Sequence, residues 1–278
     1  MGAALKGSTA LVTGGGSGIG LGAAKAFAAD GASVLIVGRS QDKLDAALEE
    51  LSPLVHDGAS VSSLSTDVTE ESQVEAAVAA AGELPGKLSI AVASAGDGTI
   101  GPIVGTSVEE WDRVQSVSLR GVFLTFKHAG AAIAANGGGA LVAVSSLAGL
   151  LTHRFMGPYN VAKAGVDMLV RTTADEMGAV GVRANGVNPG IIRTDLVAMV
   201  TEDSGTGKSY LRNSPVSRFG EVDDVAAAIR FLAGPESSFI TGVNLPIDGG
   251  HHLRRGPDYS EITAAMYSEV VDPRIVES

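Results

Sequence analysis

A tyrosine and a lysine stand four residues apart near the start of a predicted helix. Tyr159 and Lys163 follow Pro158, a residue that suits the first turn of a helix, so both side chains lie on one helix face. An ammonium about 4 Å from a phenol stabilises the phenolate by about 4 kcal/mol at an effective dielectric constant of about 20. The pair therefore indicates a general acid or base near neutral pH, although this spacing is also typical of an exposed surface pair.

A serine hydroxyl at the end of a predicted strand completes this candidate site. Ser146 follows the apolar run at residues 140–144, and the carboxyl ends of strands line the binding crevice of a doubly wound sheet. Its hydroxyl can hold the carbonyl oxygen of a substrate. The neighbouring Ser145 is a second candidate for this role, or for capping the next helix.

The element suited to bind an anion is the glycine-rich stretch at residues 9–22, TALVTGGGSGIGLG. An apolar strand precedes it and apolar residues at helical spacing follow it, so the glycines fall in a strand-to-helix turn. Gly14, Gly18 and Gly20 let the backbone turn tightly and approach a phosphate, and the helix start presents free N–H groups. This context favours a dinucleotide pyrophosphate site over an ordinary loop.

The second predicted strand ends beside the expected position of an adenosine ribose. An acidic residue at this point would hold the ribose 2′-hydroxyl group, but the chain has Gly38 followed by Arg39. A guanidinium without that carboxylate can bind a 2′-phosphate, so we expect NADP(H) in preference to NAD(H), unless Arg39 only stacks on the adenine. Asp67 follows the third strand, where it either accepts a hydrogen bond from the adenine amino group or caps a helix with Glu70.

These motifs need a scaffold of alternating strands and helices, which the apolar pattern predicts. Strands are expected at residues 10–12, 33–37, 61–64, 88–93, 140–144, 183–187 and 243–247. Helices are expected at residues 21–30, 41–51, 70–81, 108–135, 159–177 and 222–232. The alternation predicts an α/β fold, in which a doubly wound parallel sheet is covered by helices on both faces as three α/β/α layers.

Length and composition favour one domain. A chain of 278 residues, 45% of them hydrophobic, suits a single domain at residues 1–250 with a C-terminal extension at residues 251–278. Residues 195–215 interrupt the alternating pattern, and they form either a substrate lid or a plain surface loop.

Charge and hydropathy narrow the range of partners. The net charge of −11 argues against nucleic acid or an anionic membrane as a partner. No apolar run approaches the roughly 18 residues of a spanning helix, and the N-terminus lacks a signal-peptide pattern. The chain has no cysteine, which fits a reducing compartment. We therefore expect a cytoplasmic protein that acts on a small molecule.

Several motifs occur in a fixed order over nearly the whole chain. They are TGGGSGIG at residues 13–20, DV at 67–68, Ser146 thirteen residues before Tyr159, YNVAK at 159–163, NPG at 188–190 and DGG at 248–250. In these motifs the chain resembles the short-chain dehydrogenase/reductase family. The resemblance implies a single Rossmann-like domain, a nicotinamide cofactor, and hydride transfer between a carbonyl group and an alcohol. It also implies a homotetramer or homodimer that pairs through the helices at 108–135 and 159–177.

The resemblance assigns roles to individual residues of this chain. It implies that Tyr159 donates or accepts the proton, that Lys163 holds the nicotinamide ribose and lowers the tyrosine pKa, and that Ser146 orients the substrate oxygen. The residues expected to bind the cofactor are Gly14, Ser17, Gly18, Ile19, Gly20, Arg39, Asp67, Val68, Gly96, Tyr159, Lys163, Pro189, Gly190, Ile192 and Thr194. Of these, the backbone of Ile192 and the hydroxyl of Thr194 are expected to donate hydrogen bonds to the nicotinamide end.

The chain departs from the family pattern at two places. The family usually has Asn-Asn-Ala-Gly after the fourth strand, whereas residues 93–96 are Ala-Ser-Ala-Gly, so the amide that links neighbouring strands is replaced. Ser118 stands where the family has a catalytic asparagine that helps a water chain carry protons to the lysine. We expect Ser118 to hold the water through an added solvent molecule, or else to bond back to the carbonyl one turn earlier and leave the relay, and we favour the second.

Apolar residues on both sides of the site predict a largely apolar substrate pocket, although some of them belong to the core. They are Leu147, Leu150, Leu151, Phe155, Met156, Leu196, Val197, Met199 and Val200. His153 and Arg154 either reach a polar substrate group or stay solvated. The His-His and Arg-Arg pairs within residues 251–255 do not predict a metal, because adjacent residues rarely ligate one ion.

Three functions are consistent with this pattern. The first is an NADP(H)- or NAD(H)-dependent alcohol dehydrogenase or ketone reductase acting on a medium-sized apolar molecule, in the manner of a 3-oxoacyl reductase among others. The second is an epimerase or dehydratase on the same fold, which would need a further acid or base near the nicotinamide. The third is a nucleotide-sensing protein without catalysis, which the presence of Ser146, Tyr159 and Lys163 disfavours.

Overall fold

The computed structural model describes residues 4–56, 58–198, 200 and 203–254. Its strands are β1 (Ser8–Thr13), β2 (Ser33–Gly38), β3 (Val61–Ser65), β4 (Lys87–Ala93), β5 (Gly139–Val144), β6 (Val182–Pro189) and β7 (Asn244–Ile247). Within these described ranges the seven strands pair in parallel as one sheet, in the order β3-β2-β1-β4-β5-β6-β7. The predicted doubly wound parallel sheet is therefore confirmed.

Helices connect the strands. They are α1 (Gly18–Ala29), α2 (Gln41–Leu51), α3 (Glu71–Gly82), α4 (Val108–Gln115), α5 (Gly121–Ala135), α6 (Leu147–Leu150), α7 (Gly157–Met177), α8 (Gly205–Arg212) and α9 (Val222–Ala233). The chain enters the sheet at an interior strand, β1, continues outward to β3, and then crosses back to β4 on the other side of β1. That reversal makes the end of β1 the topological switch point, where α/β folds of this type bind their ligands.

Alternate residues of each strand face opposite layers of helices. Val12 packs in one core with Phe27 of α1 and Ile229 of α9, whereas its neighbour Leu11 packs in the other core with Phe126 of α5. The two cores separate cleanly because successive side chains in a strand point to opposite faces. This arrangement confirms the three α/β/α layers, and it explains why the strands are apolar on both faces.

The structure is helical from residue 108 to residue 135, as predicted, but it is not α-helical throughout. A π-helical turn, Ser116–Arg120, separates α4 from α5, and it places Ser118 in the interior. Sequence periodicity cannot detect a single turn of this kind, which leaves the apolar spacing on either side nearly unchanged.

The segment predicted as a lid or loop at residues 195–215 contains the helix α8. Ser204 caps this helix by accepting a hydrogen bond from the backbone N–H of Gly207 at 3.0 Å, and its Tyr210 is buried. The sequence pattern did not predict this helix, because glycine is a poor helix former and the segment has glycines at positions 205 and 207. Of the predicted C-terminal extension, the structure describes residues 251–254, and the remainder lies outside the described residues.

The ends of β1 and β4 are joined by one side chain. The hydroxyl oxygen of Thr13 accepts hydrogen bonds from the backbone N–H groups of Ser94 and Ala95, at 3.1 and 3.3 Å. The register of the sheet brings these groups together, since Thr13 lies opposite Ala93. Thr13 therefore provides a link between neighbouring strands at the segment where the family pattern has an amide.

We expect Thr13→Val to lower the free energy of unfolding by about 1–3 kcal/mol, because the isosteric valine leaves two backbone N–H groups without their acceptor. Thr172→Val is the matched control, since Thr172 is exposed on α7. Denaturant unfolding of both variants measures the difference. Equal stability of the two variants would show that the Thr13 hydroxyl does not hold these strand ends together.

Candidate active site

The carboxyl ends of the central strands open on a cavity of about 520 Å³. Except for Ser118, every residue that the sequence analysis assigned to catalysis or cofactor binding lines this cavity. The residues assigned to cofactor binding that line it are Gly14, Ser17, Gly18, Ile19, Gly20, Arg39, Asp67, Val68, Gly96, Tyr159, Lys163, Pro189, Gly190, Ile192 and Thr194. Ser146 lines the cavity as well, so residues that are remote in sequence meet at the switch point of the sheet.

The turn between β1 and α1 has the shape that a diphosphate needs. Gly14 adopts the left-handed conformation, and a Cβ atom there would lie 2.8 Å from the backbone nitrogen of Ala95. A Cβ atom on Gly20 would collide with the carbonyl oxygen of Gly14. Side chains are thus excluded where the turn packs, and α1 begins at the cavity with the free N–H groups of its first turn. These features fit the pyrophosphate of a nicotinamide dinucleotide.

The cavity is basic at the end of β2. Arg39, just before the N-cap of α2, and Lys43, in its first turn, both line it, so both cations are close to a group bound there. The sequence analysis missed Lys43, although its spacing from Arg39 was the available signal. Gly38 has room for a side chain, because an added Cβ atom would only reach ordinary contact with Leu44 at 3.8 Å.

Asp67 does not cap the helix that follows it. Its Oδ1 accepts hydrogen bonds from the backbone N–H of Thr69 at 2.9 Å and from the Thr69 hydroxyl at 2.8 Å. The N-cap of α3 is Glu70 instead. Although burial raises the pKa of the Asp67 carboxyl, the Thr69 hydrogen bonds and the charge of Arg39 outweigh burial and leave that pKa below its usual value. Asp67 is therefore an anionic acceptor in the cavity wall.

Tyr159 and Lys163 lie on one face of α7, as their spacing predicts. Pro158 occupies the first turn, and the Lys163 Nζ lies 5.5 Å from the centroid of the Tyr159 ring. The lysine is only 2% exposed, and its Nζ donates a hydrogen bond to the carbonyl oxygen of Val144 at 2.8 Å. Burial lowers the pKa of Lys163 to about 8, while the charge of Asp167 acts in the opposite direction. The exposed surface pair that the spacing also allowed is excluded.

The phenol of Tyr159 is a weak acid in this environment. Burial raises its pKa above the usual value, and a hydrogen bond with Ser146 opposes that effect. The resemblance implies a lowered tyrosine pKa, so burial acts against the expected direction. The ring packs against the backbone at Gly98, where a Cβ atom would lie 3.5 Å from the ring. The phenol is consequently held in place and carries its proton at neutral pH.

The two neighbouring serines have different positions. Ser146 reaches Tyr159, and its hydroxyl oxygen also accepts a hydrogen bond from the backbone N–H of Ala148 at the start of α6. Ser145 is buried, and its hydroxyl donates to the carbonyl oxygen of Lys163 at 3.1 Å. Both serines line the cavity, but Ser146 is the one that bonds to the phenol, whereas Ser145 fastens β5 to α7.

Ser118 does not bond back to the carbonyl one turn earlier in its own helix, which was one possibility for its hydroxyl. Its hydroxyl donates to the carbonyl oxygen of Asp97 at 2.6 Å and accepts from the backbone N–H of Asp97 at 2.9 Å. Arg113 binds the Asp97 carboxylate from outside. The neighbouring Gly96 lies between Ser118 and Lys163, since an added Cβ atom there would be 3.9 Å from the first and 3.6 Å from the second. The π turn therefore lets Ser118 hold the loop after β4 against the lysine.

The apolar residues flanking the site divide between core and surface. Leu147 is buried with Tyr210 and Phe219, so it belongs to the core rather than to the pocket. Leu150 and Phe155 are exposed, and Val197 lines the cavity. Leu151 and Val200 pack against the buried cluster, Met156 is partly buried, nothing is described of the Leu196 side chain, and Met199 lies outside the described residues.

The histidine and arginine pairs have local partners. The backbone of His153 is held by the side chain of Asn160, and Arg154 stacks on the ring of Phe155 with 4.6 Å between guanidinium carbon and ring centroid. His251 stacks on the buried Tyr210, and His252 lies 2.8 Å from a carboxylate oxygen of Asp248. Within the described part of the chain, no group of three His, Asp or Glu side chains is arranged to hold a metal ion.

Among the described residues, no helix is both long enough and apolar enough to cross a membrane.

Comparison with known proteins gives a consistent result. Residues 14–252 match a family described as enoyl-(acyl carrier protein) reductase. A galactitol 2-dehydrogenase (L-tagatose-forming) of Cereibacter sphaeroides is 37% identical over 250 residues, which are 89% of this chain and 96% of that protein. A cyclohexanol dehydrogenase of an Acinetobacter species is 35% identical over 87% of this chain and 94% of that protein.

Solved structures agree with the sequence relatives. A short-chain type dehydrogenase/reductase from Mycobacterium ulcerans superimposes with a TM-score of 0.88 at 43% identity, covering 95% of this chain and 97% of that one. A levodione reductase superimposes with a TM-score of 0.84 at 31% identity, covering 90% and 99%. The chain therefore belongs to the short-chain dehydrogenase/reductase family. It is an oxidoreductase of that family, and the family implies a nicotinamide cofactor.

Loss of the Ser118 hydroxyl leaves both backbone groups of Asp97 without their partner. We expect Ser118→Ala to lower the free energy of unfolding by about 1–3 kcal/mol. Ser209→Ala on the exposed face of α8 is the control, for which we expect a change within about 0.5 kcal/mol. Denaturant titration compares the variants, and an equally small change for Ser118→Ala would contradict its role in holding the loop.

Proposed function

We propose that this enzyme transfers a hydride between a nicotinamide cofactor and the carbonyl group or secondary alcohol of a medium-sized, largely apolar molecule. The observation that carries the proposal is the convergence of Ser146, Tyr159 and Lys163 in the cavity at the switch point. A serine and a phenol joined by a hydrogen bond, with a buried amine behind the phenol ring, can hold a carbonyl oxygen and exchange a proton with it.

Each of the three side chains has one task in the proposed reaction. The Ser146 hydroxyl holds the substrate oxygen, and the Tyr159 hydroxyl gives its proton to that oxygen when an alcohol forms, or accepts it in the reverse direction. Lys163, whose pKa is about 8, is mostly an ammonium at neutral pH, and its charge stabilises the phenolate left on Tyr159. A nicotinamide cofactor, when bound, supplies or takes up the hydride.

Ser118 acts by position in this proposal. Its one hydroxyl hydrogen is donated to the Asp97 carbonyl oxygen, so the hydroxyl is not available to donate to a water beside Lys163. We infer that the position taken by the family's asparagine has lost its part in proton relay and keeps the task of fixing the loop after β4.

Exposed apolar side chains on the segments that flank the site favour an apolar substrate. Leu150 at the end of α6 and Phe155 before α7 are 42% and 49% exposed, and Ile103, which lies against Gly157 at the start of α7, is 58% exposed. A methylated or cyclic ketone would cover such side chains. The names of the relatives include a cyclohexanol dehydrogenase and a levodione reductase, which is consistent with this substrate class. The proposed lid at residues 195–215 contributes Val197 to the same cavity.

We expect Tyr159→Phe to reduce turnover by about a hundredfold or more, because phenylalanine has no proton to give to the substrate oxygen. Cofactor affinity should change little, since the ring stays packed on Gly98. Turnover is followed through the absorbance of the reduced nicotinamide with a panel of cyclic and linear ketones and alcohols. Binding of the reduced cofactor, measured by fluorescence, is the control. Turnover near the wild-type rate in this variant would exclude Tyr159 as the proton donor.

NADP(H) is the proposed cofactor. Arg39 and Lys43 both line the cavity at the end of β2, and together they can neutralise a 2′-phosphate. Gly38 supplies no carboxylate to repel it. An enzyme of net charge −11 would otherwise have little attraction for the additional phosphate, so the local pair of cations supports this preference.

The cofactor preference is tested at Gly38, where a side chain fits. We expect Gly38→Asp to weaken NADPH binding by tenfold or more, since the new carboxylate faces the 2′-phosphate, and to leave NADH binding unchanged or tighter. Gly38→Asn has the same size without the charge and should retain most of the affinity for NADPH. Fluorescence titration measures both cofactors. Tighter binding of NADH than NADPH by the wild-type protein would refute the preference for NADP(H).

A homotetramer or homodimer is the proposed assembly. Phe123 on α5 and Met168 on α7 are large apolar side chains at 46% and 56% exposure, and a second copy of these helices would cover them. A cytoplasmic location remains a proposal that rests on the absence of cysteine.

A further inference from the structure

A carboxylate lies buried directly behind the proposed active site. Asp167 is 3% exposed and follows Lys163 by four residues on α7, so the two side chains lie on the same face of the helix. Ionised carboxylates are rarely buried unless hydrogen bonds or cations compensate for the loss of water. The reaction proposed above assigns no task to this group, yet the chain maintains it beside a lysine of that reaction.

Asp167 is bound to the elements that carry the rest of the site. The Nδ2 of Asn188 lies 3.0 Å from each carboxylate oxygen and also donates to the carbonyl oxygen of Ser146 at 2.9 Å. Asn188 stands at the end of β6, next to Pro189 in the cavity wall. One amide therefore connects the carboxylate to the backbone of Ser146 and to the strand end that leads to the nicotinamide side.

The surroundings of the carboxylate are closed. A Cβ atom at Gly149 would lie 2.6 Å from the Asp167 Oδ2, so the backbone of α6 packs directly on it. Asn244 of β7 donates to the carbonyl oxygen of Asp167 at 2.9 Å, and the Ser145 hydroxyl, which donates to the Lys163 carbonyl oxygen, lies beside the carboxylate. The group has little freedom to move, and its charge acts at a fixed position.

The charges around Asp167 come from its own helix. Lys163, one turn before it, and Arg171, one turn after it, are both cations. Besides Asp167, the titratable group that lies close to Lys163 is Tyr159. The contacts named on the other elements are neutral hydroxyl, amide and backbone groups. Burial raises the pKa of Asp167, and its hydrogen bonds and the two cations oppose that effect.

We propose that Asp167 is a positioning residue, whose negative charge keeps Lys163 in the ammonium form and whose bond to Asn188 fixes the backbone of Ser146. The inference rests on the proposed function, in which an ammonium at Lys163 stabilises the Tyr159 phenolate. Burial lowers the pKa of Lys163. Without the carboxylate, the hydrogen bond to the Val144 carbonyl oxygen would still oppose that effect, but no negative charge on this helix face would do so. The lysine would then lose its proton at a lower pH, and the phenolate would lose its stabilising charge.

The test replaces the charge and keeps the shape. Asp167→Asn retains an oxygen for Asn188, and its new amide can donate to the Asn188 Oδ1, a buried atom that lacks a hydrogen-bond partner among the described protein atoms. Asp175→Asn is the matched control, because Asp175 is exposed two turns further along the same helix. Both proteins are labelled with carbon-13 at the lysine ε-carbons, and Lys163→Met assigns the Lys163 resonance.

We expect the Lys163 resonance to titrate near pH 8 in the wild type and in Asp175→Asn, and about one pH unit lower in Asp167→Asn. The alkaline limb of the pH profile of kcat/KM should move by the same amount. A role limited to folding would lower kcat/KM at every pH without moving that limb, and would overturn the proposal. An unchanged Lys163 titration in Asp167→Asn would overturn it as well.

The two proposals fail in different ways. The lysine titration is measured in the protein without substrate, so a lowered titration together with no turnover of any ketone or alcohol would leave the Asp167 inference standing and refute the proposed function. Turnover that depends on Tyr159, combined with an unmoved Lys163 titration, would support the proposed function and refute the role of Asp167.

Discussion

A buried ammonium is the constraint on which the arrangement of this site depends. Removing the charge of Lys163 from water costs several kcal/mol unless nearby groups compensate for it. The Val144 carbonyl oxygen accepts its hydrogen bond and Asp167 supplies an opposite charge, so the end of β5 and one face of α7 must stay in register. Burial nevertheless brings the pKa of the lysine down to about 8, close to the pH at which the enzyme would work.

Bare backbone packs against the polar groups around this lysine at two glycines. Gly96 separates Lys163 from Ser118, and Gly149 places the backbone of α6 on Asp167. At both positions the loop after a central strand comes down onto α7 as bare backbone. A side chain at Gly149 would push α6 away from Asp167, whereas a Cβ atom at Gly96 would only reach ordinary contact with Lys163 and Ser118.

The sequence was sufficient to predict the fold and the location of the site. Alternating apolar runs predicted every strand of the described sheet, and local motifs identified the residues that line the cavity, because in a parallel sheet all the strand ends meet at one edge. The helix α8 was not predicted because its two glycines have low helix propensity. The π turn at Ser118 was missed because it changes the direction of one side chain without altering the apolar spacing.

The sequence also could not predict contacts between residues that are far apart in the chain. The partners of Ser118 and Asp167 lie 21 residues away in the chain, and those of Thr13 lie more than 80 residues away. No spacing rule identifies such pairs, because the strand order decides which loops become neighbours. Asp167 in particular has the sequence pattern of an exposed helical acid, and only the packing of β6 and α6 against α7 shows that it is buried on the same helix face as Lys163.

A protein with a net negative charge can bind an anionic dinucleotide only if short-range contacts in the cavity attract it. With a net charge of −11 the molecule repels such a ligand at long range, but salt screens that repulsion beyond about 8 Å at physiological ionic strength. Within the cavity, the start of α1 offers backbone N–H groups, while Arg39 and Lys43 offer positive charge. Contact interactions of this kind are directional and only partly screened. The backbone and two side chains can therefore outweigh the charge of the whole surface.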